Sequence, residues 1–363
     1  MSKLINKVIL VNVLVSLSFS AMSQTVTIPA SKTIIKSVEE TSYFNPSELT
    51  SPYVGWGVNP ENPASINLLN AWKKFTKKKD VVVAVVDTGI DNSHPFLMKN
   101  IFVENGTTDT ANFGVDFSKD KKLATAPTDM DGHGSHIAGI IRSINPEIKI
   151  LALKYYDAKA SGDDNLNSTI DALRYAVDHN VDIINYSAGG PGASARELAV
   201  LKEAEKKGIL VVVAAGNKQS NIDNKANAYF PANYGLKNII AVTAHDEDLN
   251  ILDSSNYGAS SVDVFAPGYR IKSSLQNGRV GHLTGTSQAT AFVTGVASLL
   301  RAEYPNLSAE NIKEIIKASS KKEVSMKGKC SSGGRLDAAS ALEMATQISG
   351  GKLSQRQLAN MDN

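Results

Sequence analysis

A single cysteine, Cys330, stands in 363 residues, so no internal disulfide can form and the folded chain must hold by its core. Charge of either sign is not in excess. The formal net charge is +2, which gives none of the basic bias that nucleic-acid binding needs. Hydrophobic residues make up 42% and charged residues 20%, a balance that excludes both a disordered and a membrane-embedded chain. There is no internal repeat. Beyond the first residues, no hydrophobic run is long enough to span a bilayer.

The N-terminus has the layout of a secretory signal. Lys3 and Lys7 precede an apolar stretch from Val8 to Ala21, and Ala21-Met22-Ser23 offers small residues for cleavage before Gln24. The stretch is roughly 14 residues, short of the about 20 needed by a membrane anchor, and Asn12 interrupts it. With no cysteine there, a lipid anchor is excluded as well, so no stable membrane attachment is expected after cleavage. Residues 1–23 therefore read as a signal peptide, and loss of Lys3 and Lys7 would leave the mature chain close to neutral. Residues 24–55 are polar and mixed and read as an extension or short pro-segment. A packed domain is expected over 56–348, with 349–363 a flexible tail.

Within that domain Val81–Val86 is a continuous apolar run, the mark of a strand buried on both faces of a parallel sheet. Ile148–Leu153, Val181–Tyr186, Ile209–Ala214 and Ile239–Val242 read similarly. Helical patterns lie between or after them at Thr169–His179, Ala195–Lys207, Ala309–Ala318 and Leu336–Ala345. Strands alternating with helices predict an α/β fold, a doubly wound, mostly parallel sheet with helices on both faces. The run Lys73, Lys74, Lys77, Lys78, Lys79 reads as a solvated helix end rather than a docking patch.

Ligands of such a sheet bind beyond the carboxyl ends of its strands, which directs attention to the reactive residues that follow the apolar runs. Asp87 follows directly on Val81–Val86. His133 stands in Asp131-Gly132-His133-Gly134-Ser135-His136, a turn opening into an apolar helix. Asn217 follows Ile209–Ala214 in Ala215-Gly216-Asn217, and Ser287 stands in Gly285-Thr286-Ser287-Gln288-Ala289 at the start of a helix rich in small residues. Each alone has an ordinary structural explanation as a turn former or helix cap. Together they supply what acyl transfer needs. A serine hydroxyl is a weak nucleophile and requires a base, a histidine supplies one near neutral pH, and a carboxylate holds the imidazole in the useful tautomer. An amide side chain and a backbone N–H at a helix start can meet an oxyanion.

These four motifs, in the order Asp, His, Asn, Ser, resemble the subtilisin-like serine proteases, or subtilases, from about Trp56 to Leu342. The resemblance implies a secreted or periplasmic serine endopeptidase acting on protein or peptide substrates, with Asp87, His133 and Ser287 catalytic and Asn217 the oxyanion donor. It also implies that Ser187, Ala188 and Gly189 pair with an extended peptide and, with Ala214, Ala215 and Gly216, wall the primary specificity pocket. Ser161-Gly162 matches the opposite edge of the peptide channel, and Phe230-Pro231 a position where the proline bond is usually cis. An esterase of the Gly-x-Ser-x-Gly type is excluded by the order of the residues and by the sequence around Ser287.

Departures from the family pattern matter as much. Where the family has methionine after the nucleophile this chain has Gln288, followed by Thr290, Ala291 and Phe292 in place of Ser, Pro and His. Phe96 stands where many members carry a calcium-binding Asp, and the chain bridges directly from Ile140 to Ile148 where a calcium loop would extend. No cofactor is expected and the usual high-affinity calcium site is expected to be absent. Asp157, Asp163 and Asp164 leave another calcium site open, although a solvated loop explains them better. Residues 24–55 are too short for a family-type folded prodomain. Lys218, next to Asn217, is expected to disfavour basic residues at the pocket mouth.

Overall fold

The computed structural model describes residues 42–103, 113–118 and 126–351. The expected signal peptide, most of the extension and nearly all of the expected tail lie outside them. In chain order the first elements are α1 (Leu68–Lys74), β1 (Val82–Asp87), β2 (Gly114–Asp116), α2 (His133–Ile144), β3 (Lys149–Lys154) and α3 (Gly162–Asp178). Then come β4 (Ile183–Tyr186), α4 (Ala195–Lys206), β5 (Leu210–Ala214), β6 (Ile239–His245), β7 (Val264–Pro267), β8 (Ile271–Ser274) and β9 (Val280–Leu283). The last are α5 (Thr286–Glu303), α6 (Ala309–Ala318), β10 (Lys321–Lys322), β11 (Gly334–Arg335) and α7 (Ala338–Ser349).

Nine of the described strands form one sheet in the order β10-β11-β7-β6-β5-β4-β1-β3-β2, parallel except for the β10–β11 edge. β8 and β9 make a separate hairpin. β1 pairs with β3 on one side and β4 on the other. The chain thus winds outward from β1 in one direction and later returns on its other flank, opening a crevice at the strands' carboxyl ends. The pleat explains the unbroken apolar runs. Val83 and Val85 face one core with α2 and α5, while Ala84 and Val86 face the other with α3 and α4.

All 18 residues of α5 are buried. Its small side chains let neighbours approach closely, and its hydroxyls are absorbed locally. Thr290 Oγ1 donates to Thr286 O at 2.8 Å and Ser298 Oγ to Gly295 O at 2.7 Å. Thr294 Oγ1 donates to Asn185 Oδ1 of β4 at 2.8 Å, tying the helix to the sheet beneath the crevice.

The apolar runs became strands within a residue or two of their expected ends, apart from β6, which continues to His245. Two helices start elsewhere. α3 begins at Gly162, well before Thr169, because Ser161 caps it: its Oγ accepts from Asp164 N at 3.1 Å and donates to Asp164 Oδ2 at 2.7 Å. α7 starts at Ala338, capped by Asp337, while Leu336 joins the sheet edge through its N–H to Phe265 O. The lysine run is spoken for: Lys74 pairs with Glu343, Lys77 with Asp80 and Glu147, Lys79 with Asp182, and Lys78 lies over the Tyr304 ring.

Packing begins before Trp56. Phe44, Leu49 and Val54 are buried, and Phe44 stacks on Phe75 and meets Trp72 edge-on. Glu48 pairs with Arg142 of α2. The described part of the expected extension is therefore attached to the domain. Three separated apolar side chains, too few to form a periodic pattern, do the attaching. Phe96 stacks against Tyr53 and carries the Arg142 guanidinium 4.0 Å above its ring. A ring and a cation are the opposite of a calcium donor set.

Candidate active site

β1 delivers Asp87 to the crevice, and α2 delivers His133 as its first residue. His133 Nδ1 donates to Asp87 Oδ1 at 2.7 Å, and the same oxygen accepts from Thr88 N at 2.8 Å. Asp87 is buried, whereas His133 keeps 28% of its side chain exposed. Burial alone would lower the imidazole's pKa. The charge and hydrogen bond of Asp87, helped by Asp131 and Asp129, outweigh that and carry it above the usual 6.5.

A side-chain network clamps this pair. Thr88 Oγ1 donates to Asp129 Oδ1 at 2.9 Å and accepts from Gly134 N at 2.9 Å. Asp129 also accepts from the N–H groups of Asp131, Gly132 and Ser135 and from Ser135 Oγ. Ser135 Oγ in turn accepts from Asp91 N at 2.9 Å. The end of β1 and the start of α2 are thereby fixed to each other by groups outside the expected set.

Ser287 is the second residue of α5, where helix N–H groups lack intrahelical partners. Its Oγ donates to Ser187 O at 2.9 Å. Asn217 is exposed, and its Oδ1 accepts from Thr286 N at 3.0 Å and Thr286 Oγ1 at 3.2 Å. That fixes the carboxamide by its oxygen and leaves Nδ2 to a ligand. Gly285, at φ 153°, turns the chain into α5, and a Cβ there would stand 3.3 Å from Asn217 Nδ2. Only glycine keeps that corner clear. Asn256, buried and unsignalled in the sequence, steadies the loop after β5: it donates to Ala215 O at 2.7 Å and accepts from Lys218 N and Ser220 N.

The sequence and the fold match known proteins. The description of the subtilase family fits residues 78–340. The chain is 34% identical over 254 residues to the major intracellular serine protease of Bacillus subtilis (strain 168), covering 67% of this chain and 76% of that one. It is 34% identical over 245 residues to subtilisin E of the same organism, covering 65% of this chain and 59% of that one. This chain belongs to the subtilase family of serine peptidases. Several of the matched subtilisins are spanned over only about three fifths of their length. A crystal structure of a cold-adapted subtilisin-like serine proteinase superposes with a TM-score of 0.59 at 25% identity, covering 71% of this chain and 86% of that one.

In this subtilase Ser187, Ala188 and Gly189 lead out of β4 beside Ser287, and Ala214, Ala215 and Gly216 lead out of the neighbouring β5. Gly190 and Phe230 exchange backbone hydrogen bonds of 2.9 and 2.7 Å, and the Phe230–Pro231 bond is cis. A pocket of about 400 Å³ opens past Ala188 and Gly190, lined also by Tyr155, Leu166, Tyr186 and Glu197. Glu197 is buried at its floor and accepts from Tyr186 Oη at 3.2 Å and Tyr234 Oη at 2.7 Å. Burial raises its pKa against the opposing effect of these two bonds. Gln288 is buried, and its Nε2 has no partner among the described residues. Among those residues no group of three or more His, Cys, Asp or Glu converges as a metal site, and no helix is long and apolar enough to cross a membrane. Asp164 is engaged in capping α3, and Asp157 accepts from Lys159 N.

Proposed function

We propose that this subtilase is an exported serine endopeptidase that cleaves proteins or peptides through an acyl-enzyme, with Asp87, His133 and Ser287 as its triad. The observation that carries this reading is the His133 Nδ1 to Asp87 Oδ1 bond of 2.7 Å, with Ser287 carried separately on the first turn of α5. In the proposed reaction an extended substrate adds as a strand to Ser187–Gly189. Rotation of Ser287 about χ1 moves its hydroxyl from Ser187 O to His133 Nε2. Oγ then attacks the scissile carbonyl carbon and its proton passes to Nε2, while Asp87 stabilises the imidazolium. Asn217 Nδ2 and the Ser287 N–H bind the oxyanion. Collapse expels the amine, which takes the proton from His133. A water molecule, deprotonated by the same nitrogen, releases the acyl group and restores the serine.

The signal-like N-terminus supports export, to periplasm or medium. Calcium has no part in this reading, since Phe96 and Arg142 offer it no ligand at the place the family pattern points to. Purified chain incubated with a mixed peptide library tests the activity. Internal cleavage is expected, with Ser287→Ala retaining on the order of 10³-fold catalysis over water, a residual known from this family's own mutants. Equal product from wild type and Ser287→Ala would overturn the assignment.

A further inference from the structure

The walls formed by Ser187–Gly189 and Ala214–Gly216 are not empty between. The ring of Tyr229 lies in the slot. A Cβ built at Gly189 would stand 2.6 Å from Tyr229 Cε1, and one built at Gly216 would stand 2.8 Å from Cζ and 2.9 Å from Cε2. All three distances are shorter than real Cβ contacts allow, so one edge of the ring rests directly on the backbone of each wall. A substrate side chain entering between those walls would meet carbon where a deep pocket would offer space.

The ring is held there from its own backbone. Tyr229 N donates to Asn233 Oδ1 at 2.8 Å, and Tyr229 O accepts from Asn233 N at 2.9 Å. Asn233 is itself anchored by its Nδ2, which donates to Ile222 O at 2.9 Å and Ser261 Oγ at 2.8 Å. One residue on, Phe230 is stitched to Gly190 by the paired backbone bonds, which fixes the segment to the wall it lines. Burial raises the pKa of the Tyr229 phenol, as a ring lodged in an apolar slot requires. The volume that stays open, about 400 Å³, is lined by Ala188, Gly189, Gly190 and Glu197 and by neither Tyr229 nor Ala214–Gly216.

We propose that Tyr229 is a specificity-determining residue: its ring fills the primary pocket, so the substrate residue whose carbonyl Ser287 attacks must be small. The inference rests on the peptidase reading above. Glycine, alanine and serine fit a shallow seat, whereas leucine or phenylalanine would have to displace a phenol ring packed on both sides. Each methylene that a pocket accepts or rejects is worth roughly 10- to 200-fold in kcat/KM, so alanine is expected to be preferred to phenylalanine by on the order of 100-fold.

The test uses the purified full chain and a series of peptide anilides identical except for Ala, Leu or Phe at the residue before the cut. Wild type is expected to turn over the Ala substrate about 100-fold better than the Phe substrate by kcat/KM. Tyr229→Ala opens the slot and is expected to raise kcat/KM for the Phe substrate at least about 10-fold, chiefly through a lower KM. Tyr229→Phe keeps the ring and the wild-type order, and it covers the case in which Tyr229→Ala does not fold. Leucine or phenylalanine favoured over alanine by wild type would overturn the inference, as would a Tyr229→Ala ratio equal to that of wild type. Failure of the underlying reading shows itself differently: wild type would cleave neither the series nor a denatured protein and would not react at Ser287 with a phosphonylating reagent, which overturns both.

Discussion

The two halves of the active crevice are built in different ways. On the Asp87–His133 side, side chains hold the backbone and one another: Thr88, Asp129 and Ser135 close a network of seven hydrogen bonds, five of them from backbone N–H groups, in which each group is satisfied before substrate arrives. On the Ser287–Asn217 side the groups proposed to work have, among the described residues, few partners. Ser287 Oγ rests on a backbone carbonyl, and Asn217 Nδ2 is held in place only through the oxygen of its own amide. Acid–base chemistry needs a fixed tautomer and distance, which a closed network supplies. Oxyanion binding, the role proposed for the other side, needs donors that are still unsatisfied when the charge develops, which an open corner would supply.

The open side is where a single truncation should cost most in rate and least in stability. Asn217→Ala removes the donor and takes one acceptor from the buried Thr286 N–H and hydroxyl, so kcat is expected to fall by about 10²–10³ with KM little changed and the melting temperature lowered less than in Asp129→Ala; the magnitude comes from the equivalent change in a member of this same family. A kcat loss below about 10-fold would mean that another group binds the oxyanion. The closed side should behave in reverse. Asp129→Ala leaves the Thr88 and Ser135 hydroxyls and three N–H groups without their acceptor, at roughly 1–3 kcal/mol for each group that water cannot reach. Thermal unfolding is expected to move down by many degrees, with kcat lower by on the order of 10-fold to 100-fold as His133 loses its position. An unchanged melting temperature would break the contrast between the halves.

Acid sharpens the comparison further. His136 beside the network and His245 at the end of β6 are buried, chiefly by which their pKa values are lowered from 6.5 to about 4. The unfolded chain therefore binds protons that the folded chain refuses between pH 6.5 and about 4, and stability falls as pH drops through that window. The loss is on the order of 3 kcal/mol for each histidine. Chemical denaturation at pH 7.5 and pH 4.5 measures it, and equal stabilities would contradict it. The smallest expected effect is that of a chelator. With Phe96 under Arg142, excess EDTA should shift the melting temperature by less than about 2 °C, whereas loss of a tightly bound ion would cost several kcal/mol by linkage.

Much of the layout was legible because buried parallel strands advertise themselves. Val82–Asp87 and Leu210–Ala214 have no polar face to interrupt the run, and Asp87 and Asn217 come at or just after their ends. His133 and Ser287 were legible from the glycines and small residues that open α2 and α5. What stayed hidden acts across long sequence separations and leaves no local pattern. Asp129 joins residues more than 40 positions apart, Asn256 holds a loop from a distant turn, and Tyr229 enters a slot whose walls belong to two other segments. Residues 42–55 read as polar extension because Phe44, Leu49 and Val54 recur with neither strand nor helix period, yet all three are buried. The pocket walls were identified from family resemblance as Ser187–Gly189 and Ala214–Gly216; nothing in their sequence tells that an aromatic ring stands between them.

The central claim, that His133 held by Asp87 serves as the base for Ser287, is tested most directly by the pH dependence of phosphonylation. The second-order rate of modification at Ser287, followed by mass spectrometry from pH 5 to 9, depends on neutral His133 and not on substrate choice. Because the imidazole's pKa is raised, its neutral form is lost on acidification already above pH 6.5, and the rate should fall through a single midpoint above that value. Asp87→Asn should slow the reaction and move that midpoint down. A rate that is flat across this range, or a midpoint unmoved by Asp87→Asn, would contradict the account.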